Sequence, residues 1–474
     1  MAEFKMSIND TICAIATPPG QGGIGIVRVS GNGSPDVIQK IWKGKKSADI
    51  FESHRMYLGR VVDPQTKEPI DTALAVLMRA PNSYTGENVV EISCHGSAVI
   101  LGKILEACKK AGARLAEPGE FTKRAFLNGK MDLAQAEAVA DLISATSESA
   151  SRCARDQLEG GLSRRIGELI DELTNLRAFV EASIDFPEED IEFIEQEGIA
   201  KRLGAVASKI VSLADTYNEG KLFKDGVNVV IIGKPNVGKS SLFNALVGHE
   251  RAIVHHTSGT TRDLVKETVQ IGGVAFHLTD AAGLRESDHD IEKMGIEKAR
   301  DAIERADLIL FVMDGSKPSD DSDKEIFNAL DKRRAIVCVN KSDLPAPLLC
   351  KEGSGEVDRG LPHLTSPYKG EEIAVSALRG DGIDLLKEKL LQSATGQKEV
   401  RTESAVVTSA RHKEALHEAI GHIENAIKAT NERQSAEFIA HHLSLAHDCL
   451  GQITGKVATE AVLDRIFSSF CIGK

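Results

Sequence analysis

Val227-Asn228-Val229-Val230-Ile231-Ile232, followed at once by Gly233-Lys234-Pro235-Asn236-Val237-Gly238-Lys239-Ser240, is the stretch on which the fold turns. The first part is nearly all β-formers and almost unbroken in apolarity, as a parallel strand covered on both faces must be. The second part fits G-x-x-x-x-G-K-[ST] and stands where a phosphate-binding loop has to stand, between a buried strand and a helix. Its glycines let backbone N–H groups wrap a β-phosphate, helped by the dipole of the helix starting near Lys239. Lys239 is placed to meet the β- and γ-phosphates, and Ser240 to ligate Mg2+. The nucleotide-binding set expected in this loop is Asn236, Val237, Gly238, Lys239, Ser240 and Ser241.

Working outward, β-like runs recur at Val274 to Leu278, Leu308 to Met313, Ala335 to Val339 and Glu372 to Val375. Helix-length segments separate them, the signature of a doubly wound sheet, and the stretch from Lys351 to Gly370 reads as a surface loop within it. Asn340-Lys341-Ser342-Asp343 comes after one of these strands at its carboxyl end, where nucleotide sites lie. Asp343 can accept from guanine N1–H and the 2-amino group together, whereas adenine has an acceptor at N1 and no 2-amino group. GTP is therefore the expected ligand, with a rejection of ATP on the order of 10⁴. Ser376-Ala377-Leu378, after the strand ending at Val375, is placed to offer a backbone N–H to guanine O6. Asp280-Ala281-Ala282-Gly283 reads as D-x-x-G, with Asp280 touching Mg2+ through water and the Gly283 N–H meeting the γ-phosphate. Between these, Thr257-Ser258-Gly259-Thr260-Thr261-Arg262-Asp263 supplies a hydroxyl, taken as that of Thr261, to the Mg2+ shell.

On either side the periodicity changes. Residues 1 to about 120 alternate β-branched runs (Ile26 to Val29, Val89 to Ile92) with Gly- and Pro-rich turns. From about 122 to 220, and again after 405, apolar residues keep helical spacing, and Asp132 with Gln135 resembles a capping box. Pro187 with Glu188-Glu189-Asp190 reads as a solvated helix junction. The expected domains are 1–121 (N-terminal α+β), 122–222 (first helical part), 223–396 (nucleotide-binding) and 397–474 (second helical part). The fold class is thus an α/β phosphate-loop domain inserted in an all-α domain and preceded by an α+β domain.

Composition excludes other classes. The 474 residues, with 42% apolar and 27% charged, describe an ordinary globular chain of about three domains. A net charge of −12, from 58 Lys+Arg against 70 Asp+Glu, argues against nucleic-acid binding through bulk positive charge. The 8 Cys form no Cys-x-x-Cys pair, so reduced thiols are expected, and no apolar stretch suits a membrane span or signal peptide. A cytoplasmic location is the expectation, and Cys471-Ile472-Gly473-Lys474 is a poor prenylation signal. Gly20-Gln21-Gly22-Gly23-Ile24-Gly25 fits G-x-G-x-x-G, but the next residues, Ile26 to Ser30, alternate like a strand and open no helix, so NAD or FAD binding is not expected there. His441, His442 and His447 have no i, i+4 pair, which argues against a metal site. Arg152, Arg155, Arg164 and Arg165 are read as solvated helix charges with a second possibility of tRNA or acidic-partner contact.

The set Gly-x-Pro-Asn-x-Gly-Lys-Ser-Ser, Gly-Thr-Thr-Arg-Asp and Asn-Lys-x-Asp resembles the TrmE-Era-Era-like group of GTPases. The flanks, namely Ala16-Thr17-Pro18-Pro19-Gly20, Pro118-Gly119-Glu120-Phe121, Arg124 to Glu137 and Phe470-Cys471-Ile472-Gly473-Lys474, are similar to its tRNA-modifying branch over essentially the whole chain. That resemblance implies a homodimer through a folate-binding N-terminal domain, and an FAD-dependent partner of the MnmG (GidA) type. With this partner it implies installation of an aminomethyl-type group at C5 of wobble uridine in tRNA. It further implies activation by K+, with Asn236, His255, Thr257 and Thr260 in the cation site, the 255 to 260 loop (His256, Ser258 and Gly259 included) beside the nucleotide, and Glu292 positioning water. On the residues alone Glu286, Asp288, Asp290 and Glu292 are equal candidates, or a solvated acidic loop. Leu284, directly after D-x-x-G, cannot orient water as a Gln there would. Ala281, with Ala282 next to it, stands where the family usually has Thr. By resemblance Arg28, Glu87, Lys130 and Lys474 contact 5-formyltetrahydrofolate, and Cys471 is a thiol near the reaction centre, against the plain reading of a packed small apolar group. Two rivals remain at this level: an Era-like switch acting on ribosomal RNA, and a redox enzyme using the N-terminal glycines.

Overall fold

The computed structural model describes residues 10–185, 194–248, 266–280, 301–332, 334–345, 372–396 and 407–473. It divides into two compact units, one of Met1–Ala140, Gln157–Ala207 and Glu418–Lys474, the other of Asp141–Asp156 and Ser208–His417.

The first unit carries a sheet of β1 (Ile12–Ile15), β2 (Gly22–Ser30), β3 (Trp42–Gly44), β4 (Met56–Val62), β5 (Pro69–Met78), β6 (Val89–Gly96) and β7 (Arg114–Leu115). Their order is β3-β4-β5-β6-β2-β1-β7, antiparallel except for the β1–β7 pair. Alternation sorts the two faces. Val27, Val29, Ala73, Ala75, Leu77, Val90 and Ile92 meet Val37, Ile38, Leu101, Ile104 and Ala107 from the helices Ser34–Ile41 and Ala98–Ala111. The other face shows Arg28, Leu58, Leu74 and Glu91. Gly22, Gly23 and Gly25 lie on β2 itself, and the next helix begins only at Ser34, so the N-terminal glycines are strand residues and not a turn into a helix. Beyond the sheet, Asp132 and Gln135 cap the helix Leu133–Ser144 reciprocally: Asp132 N donates to Gln135 Oε1 at 3.0 Å, and Gln135 N to Asp132 Oδ1 at 2.9 Å. Helix Gly161–Asp185 pairs with Ala436–Thr454, burying Ile166, Leu173, Leu176, Leu443 and Leu450.

The second unit is built on β8 (Val227–Ile232), β9 (Lys266–Ile271), β10 (Val274–Asp280), β11 (Leu308–Asp314), β12 (Ala335–Asn340) and β13 (Glu372–Ala374), in the order β13-β12-β11-β8-β10-β9. All pairs are parallel except β9–β10. The sequence reading lacks β9; on this edge strand Thr268 and Gln270 alternate with Val269 and Ile271, so its apolar signal is half that of a central strand. The unbroken apolarity of β8 has its cause here. Val229 and Ile231 enter a core with Phe276, Leu310, Leu242 and Leu386, while Val230 and Ile232 enter one with Ile309, Phe311 and Phe327 on the opposite face. In chain order this sheet falls between helical stretches, giving the expected α/β domain inserted in an all-α one behind an α+β domain. Among the described residues no helix is long and apolar enough to cross a membrane. The junction at Pro187–Asp190 and the Lys351–Gly370 loop lie outside the described residues.

Candidate functional site

From β8 the chain runs first to β9 and β10 on one side and then to β11 on the other, and the loop after β8 opens at that reversal, where ligands bind in open parallel sheets. Its backbone is held in conformations few residues adopt. Gly238 has φ 93° at the cap of helix Lys239–Val247, and Asn236 has φ 63° without being glycine. A side chain on Gly238 would collide with the Asn340 amide, so glycine is required there on steric grounds as well. Lys239 is buried, and its Nζ donates to the carbonyls of Gly233 at 3.0 Å and Lys234 at 2.7 Å. The ammonium is thereby held across the mouth of the loop. Ser240 Oγ donates to Asp280 Oδ2 at 2.9 Å, which brings the first phosphate-loop hydroxyl to the D-x-x-G carboxylate. A hydroxyl and a carboxylate at that separation form an all-oxygen donor set that suits Mg2+.

The base-recognition residues converge from two further strands. Asn340, almost fully buried at the end of β12, donates from Nδ2 to Val237 O at 2.9 Å and accepts at Oδ1 from Ala377 N at 3.0 Å. It therefore fastens the phosphate loop to the Ser376-Ala377-Leu378 turn. Of the turn read from sequence as offering a backbone N–H to guanine O6, the Ala377 N–H is directed at Asn340. Lys341 donates to Asn236 O at 2.8 Å and to Asp314 Oδ2 at 2.7 Å, and Ser316 adds two hydrogen bonds to the other Asp314 oxygen. Burial raises the Asp314 pKa, but these hydrogen bonds from Lys341 and Ser316 outweigh it, and the carboxyl sits below its ordinary range. Asp343 Oδ1 accepts from Ser376 Oγ at 2.7 Å, and this hydroxyl holds its carboxyl below the usual carboxylate range. Ser342 N is tied to Val375 O at 3.1 Å, and Leu378 is exposed. Asp314 belongs to no motif read from the sequence; its place at the end of β11, beside the Lys341 strand, is the signal that could have found it.

His255, His256, Thr257, Ser258, Gly259, Thr260, Thr261, Ala281, Ala282, Gly283, Leu284, Glu286, Asp288, Asp290, Glu292 and Lys474 lie outside the described residues. Of the expected K+ ligands, Asn236 alone is described. Its side chain is exposed, and its carbonyl is taken by Lys341.

In the first unit Arg28, on β2, forms an ion pair with Glu91 on β6 at 2.9 Å and lies over the rings of Tyr84 and Phe121, at 5.4 and 5.6 Å from their centroids. Its Nη1 also donates to the carbonyl of Gly473 at 3.4 Å. Gly473 packs against the Ile15 carbonyl with φ 97° and no room for a side chain, so the C-terminal segment seats beside Arg28. Glu87 accepts from Ser30 Oγ at 2.8 Å and from Arg124 Nη1 at 3.2 Å. Arg124 is almost wholly buried and also binds Asp10 and Glu120. Lys130 Nζ donates to Pro81 O at 3.1 Å, and its stem lies against Gly86. Arg28 and Lys130 thus flank the 81–87 loop that carries Glu87, and Cys471, two residues before Gly473 in sequence, is exposed. Glu91, Tyr84, Phe121 and Arg124, the groups that fix this cluster, escape a linear reading because pairing across strands is invisible in it.

Two family models match. One described as "MnmE helical domain" covers residues 133–471, and one described as "GTP-binding protein TrmE N-terminus" covers residues 11–130. A tRNA modification GTPase MnmE of Moorella thermoacetica is 44% identical over 472 residues, spanning 98% of this chain and 100% of that protein. One of Clostridioides difficile is 42% identical over 471 residues, spanning 99% and 100%. Among solved structures, Aquifex aeolicus Era bound to GDP and aluminium fluoride is 28% identical over 41% of this chain and 66% of its own, with a TM-score of 0.28.

Proposed function

The chain belongs to the MnmE (TrmE) family of tRNA modification GTPases, and from that premise we propose that it is a K+-stimulated GTPase working with an FAD-dependent partner on the wobble uridine of tRNA. GTP hydrolysis and a role in tRNA modification come with the family. The observation that carries the reading is the convergence of Lys239, Ser240 and Asp280 with Asn340 and Lys341 on one loop, with Asp343 held by the Ser376 turn that Asn340 fastens to that loop. In this reading Lys239 would neutralise phosphate charge, Ser240 and Asp280 would hold Mg2+, which would offset charge on the phosphates, and Asp343 would select guanine. Asn236 and the 255 to 260 loop would hold K+, which would supply the positive charge an arginine finger gives elsewhere, and Glu292 would orient water in place of Leu284. The D-x-x-G backbone serves in spite of Ala281. The ribosomal-RNA switch loses its ground, since residues 11–130 match the TrmE N-terminus.

Homodimerisation is assigned to the N-terminal domain through the β4–β5 part of the first sheet, where Met56, Leu58 and Leu74 are 55%, 68% and 38% exposed, and Leu58 and Leu74 face each other across the two strands. The partner is a tRNA-modification protein of the MnmG (GidA) type, and the domain limits 1–121, 122–222, 223–396 and 397–474 belong to this proposal. If the assignment holds, tRNA from cells lacking the protein will lack the C5 aminomethyl-type group on wobble uridine, as read by mass spectrometry of nucleosides; an unchanged nucleoside profile refutes it.

The N-terminal cluster is assigned to a one-carbon folate such as 5-formyltetrahydrofolate. What supports this is a guanidinium clasped by two rings beside a fixed carboxylate, a pairing suited to a flat heterocycle bearing carboxylates. Arg28, Glu87, Lys130 and Lys474 would be its contacts, and Cys471 would be a thiol near the reaction centre. Calorimetric titration with 5-formyltetrahydrofolate should give heat that Arg28→Ala removes. A silent titration of the unaltered protein would defeat the assignment.

A further inference from the structure

Lys234, the second residue of the phosphate loop, has two attachments. Its carbonyl accepts the Lys239 ammonium at 2.7 Å, and its own Nζ lies 2.6 Å from Asp320 Oδ2 and 2.8 Å from Asp323 Oδ2. These aspartates begin the helix Asp321–Asn328 and form its capping box: Asp323 N donates to Asp320 Oδ1 at 3.1 Å, and Asp320 N to Asp323 Oδ2 at 3.2 Å. The Asp323 side chain is only 6% exposed, its second oxygen is buried without a partner, and Lys234 is the cation beside it. A buried carboxylate stripped of its counter-charge is costly, so this contact is an anchor for the loop more than a surface ornament. Asp320, 59% exposed, is screened by water and contributes less.

The loop needs anchoring. Asn236 is held at φ 63°, a conformation that costs free energy unless neighbours enforce it, and the N–H groups that face the phosphates must be fixed before nucleotide arrives. Lys341 pins the loop through Asn236 O, and Lys234 pins it through the helix cap. We propose that Lys234 is a positioning residue that ties the phosphate loop to the capped start of helix Asp321–Asn328, and that this tie sets how long guanine nucleotide stays bound.

The test is release of fluorescent mant-GDP from the full-length protein, chased with excess GDP in a stopped-flow instrument. Lys234→Met should speed release about tenfold. Asp323→Asn keeps an acceptor for Asp320 N and the helix cap while removing the charge, and should speed release similarly. The double variant should release no faster than the faster single one, because both break the same tie. Asp320→Asn should have a smaller effect, and Lys234→Arg should bring the rate back near that of the unaltered protein. The thermal midpoint without added nucleotide is recorded alongside, to separate loss of the tie from loss of the fold. Unchanged release in Lys234→Met, additive acceleration in the double variant, or a rate that Lys234→Arg fails to restore would each overturn the proposal.

Discussion

Replacing Asp343 by Asn should cost about 10³- to 10⁴-fold in GTP affinity and confer preference for xanthosine triphosphate. The carboxyl is ionised and aimed: Ser376, itself fully buried, donates to Asp343 Oδ1 at 2.7 Å, and the Ser376 oxygen accepts in turn from Arg379 N at 3.1 Å. An ionised carboxylate offers acceptors only, which match the N1–H and 2-amino donors of guanine. Asparagine places an N–H₂ against one of those donors. Xanthine carries an oxygen in place of the 2-amino group, so the mismatch disappears and pairing is restored. Competition of GTP and xanthosine triphosphate against a fluorescent guanine nucleotide measures the change. Retained GTP affinity in Asp343→Asn would show that the base is recognised elsewhere.

Turnover of saturating GTP should fall at least tenfold when K+ is exchanged for Na+, within the ceiling of about 10³ to 10⁵ that an arginine finger provides. The need arises inside the site. Lys239 is aimed inward across the loop by two carbonyls, and Leu284 has no polar group with which to orient water or spread charge. On the proposed reading a further cation supplies that charge, with Asn236, exposed on a backbone that Lys341 fixes, as its described ligand. Asn236→Ala should accordingly bring the K+ rate down to the Na+ rate. If the unaltered protein hydrolyses GTP equally fast in both salts, the cation role is lost, while GTP binding and the family assignment stand.

Much of the nucleotide site is legible in the sequence because its parts are local. A loop of fixed length between a doubly buried strand and a helix can be read from β8 and Gly233 to Ser240, since the steric demand on glycine and the two-sided burial of the strand act over neighbouring residues. Asp280, Asn340 and Asp343 are legible for the same reason, each standing at the carboxyl end of a strand or just beyond it. What escapes are pairs formed between segments far apart in the chain: Lys341 with Asp314, Lys234 with Asp323, Arg28 with Glu91, and Arg124 with Glu87. The edge strand Lys266–Ile271 escapes because half of its residues face away from the core.

The sequence alone determined that a phosphate-loop sheet sits between helical stretches behind an α+β domain, and that its base pocket carries a carboxylate suited to guanine. Those are consequences of periodicity and of backbone sterics over a few adjacent residues. Tertiary structure decided which charges meet. The carbonyl of Asn236 faces Lys341, the ammonium of Lys234 faces a helix cap, and Gly473 rests on Ile15 beside Arg28. Such partners lie tens to hundreds of residues apart, and only the folding of strands into order and register brings them within the few ångströms over which hydrogen bonds and ion pairs act.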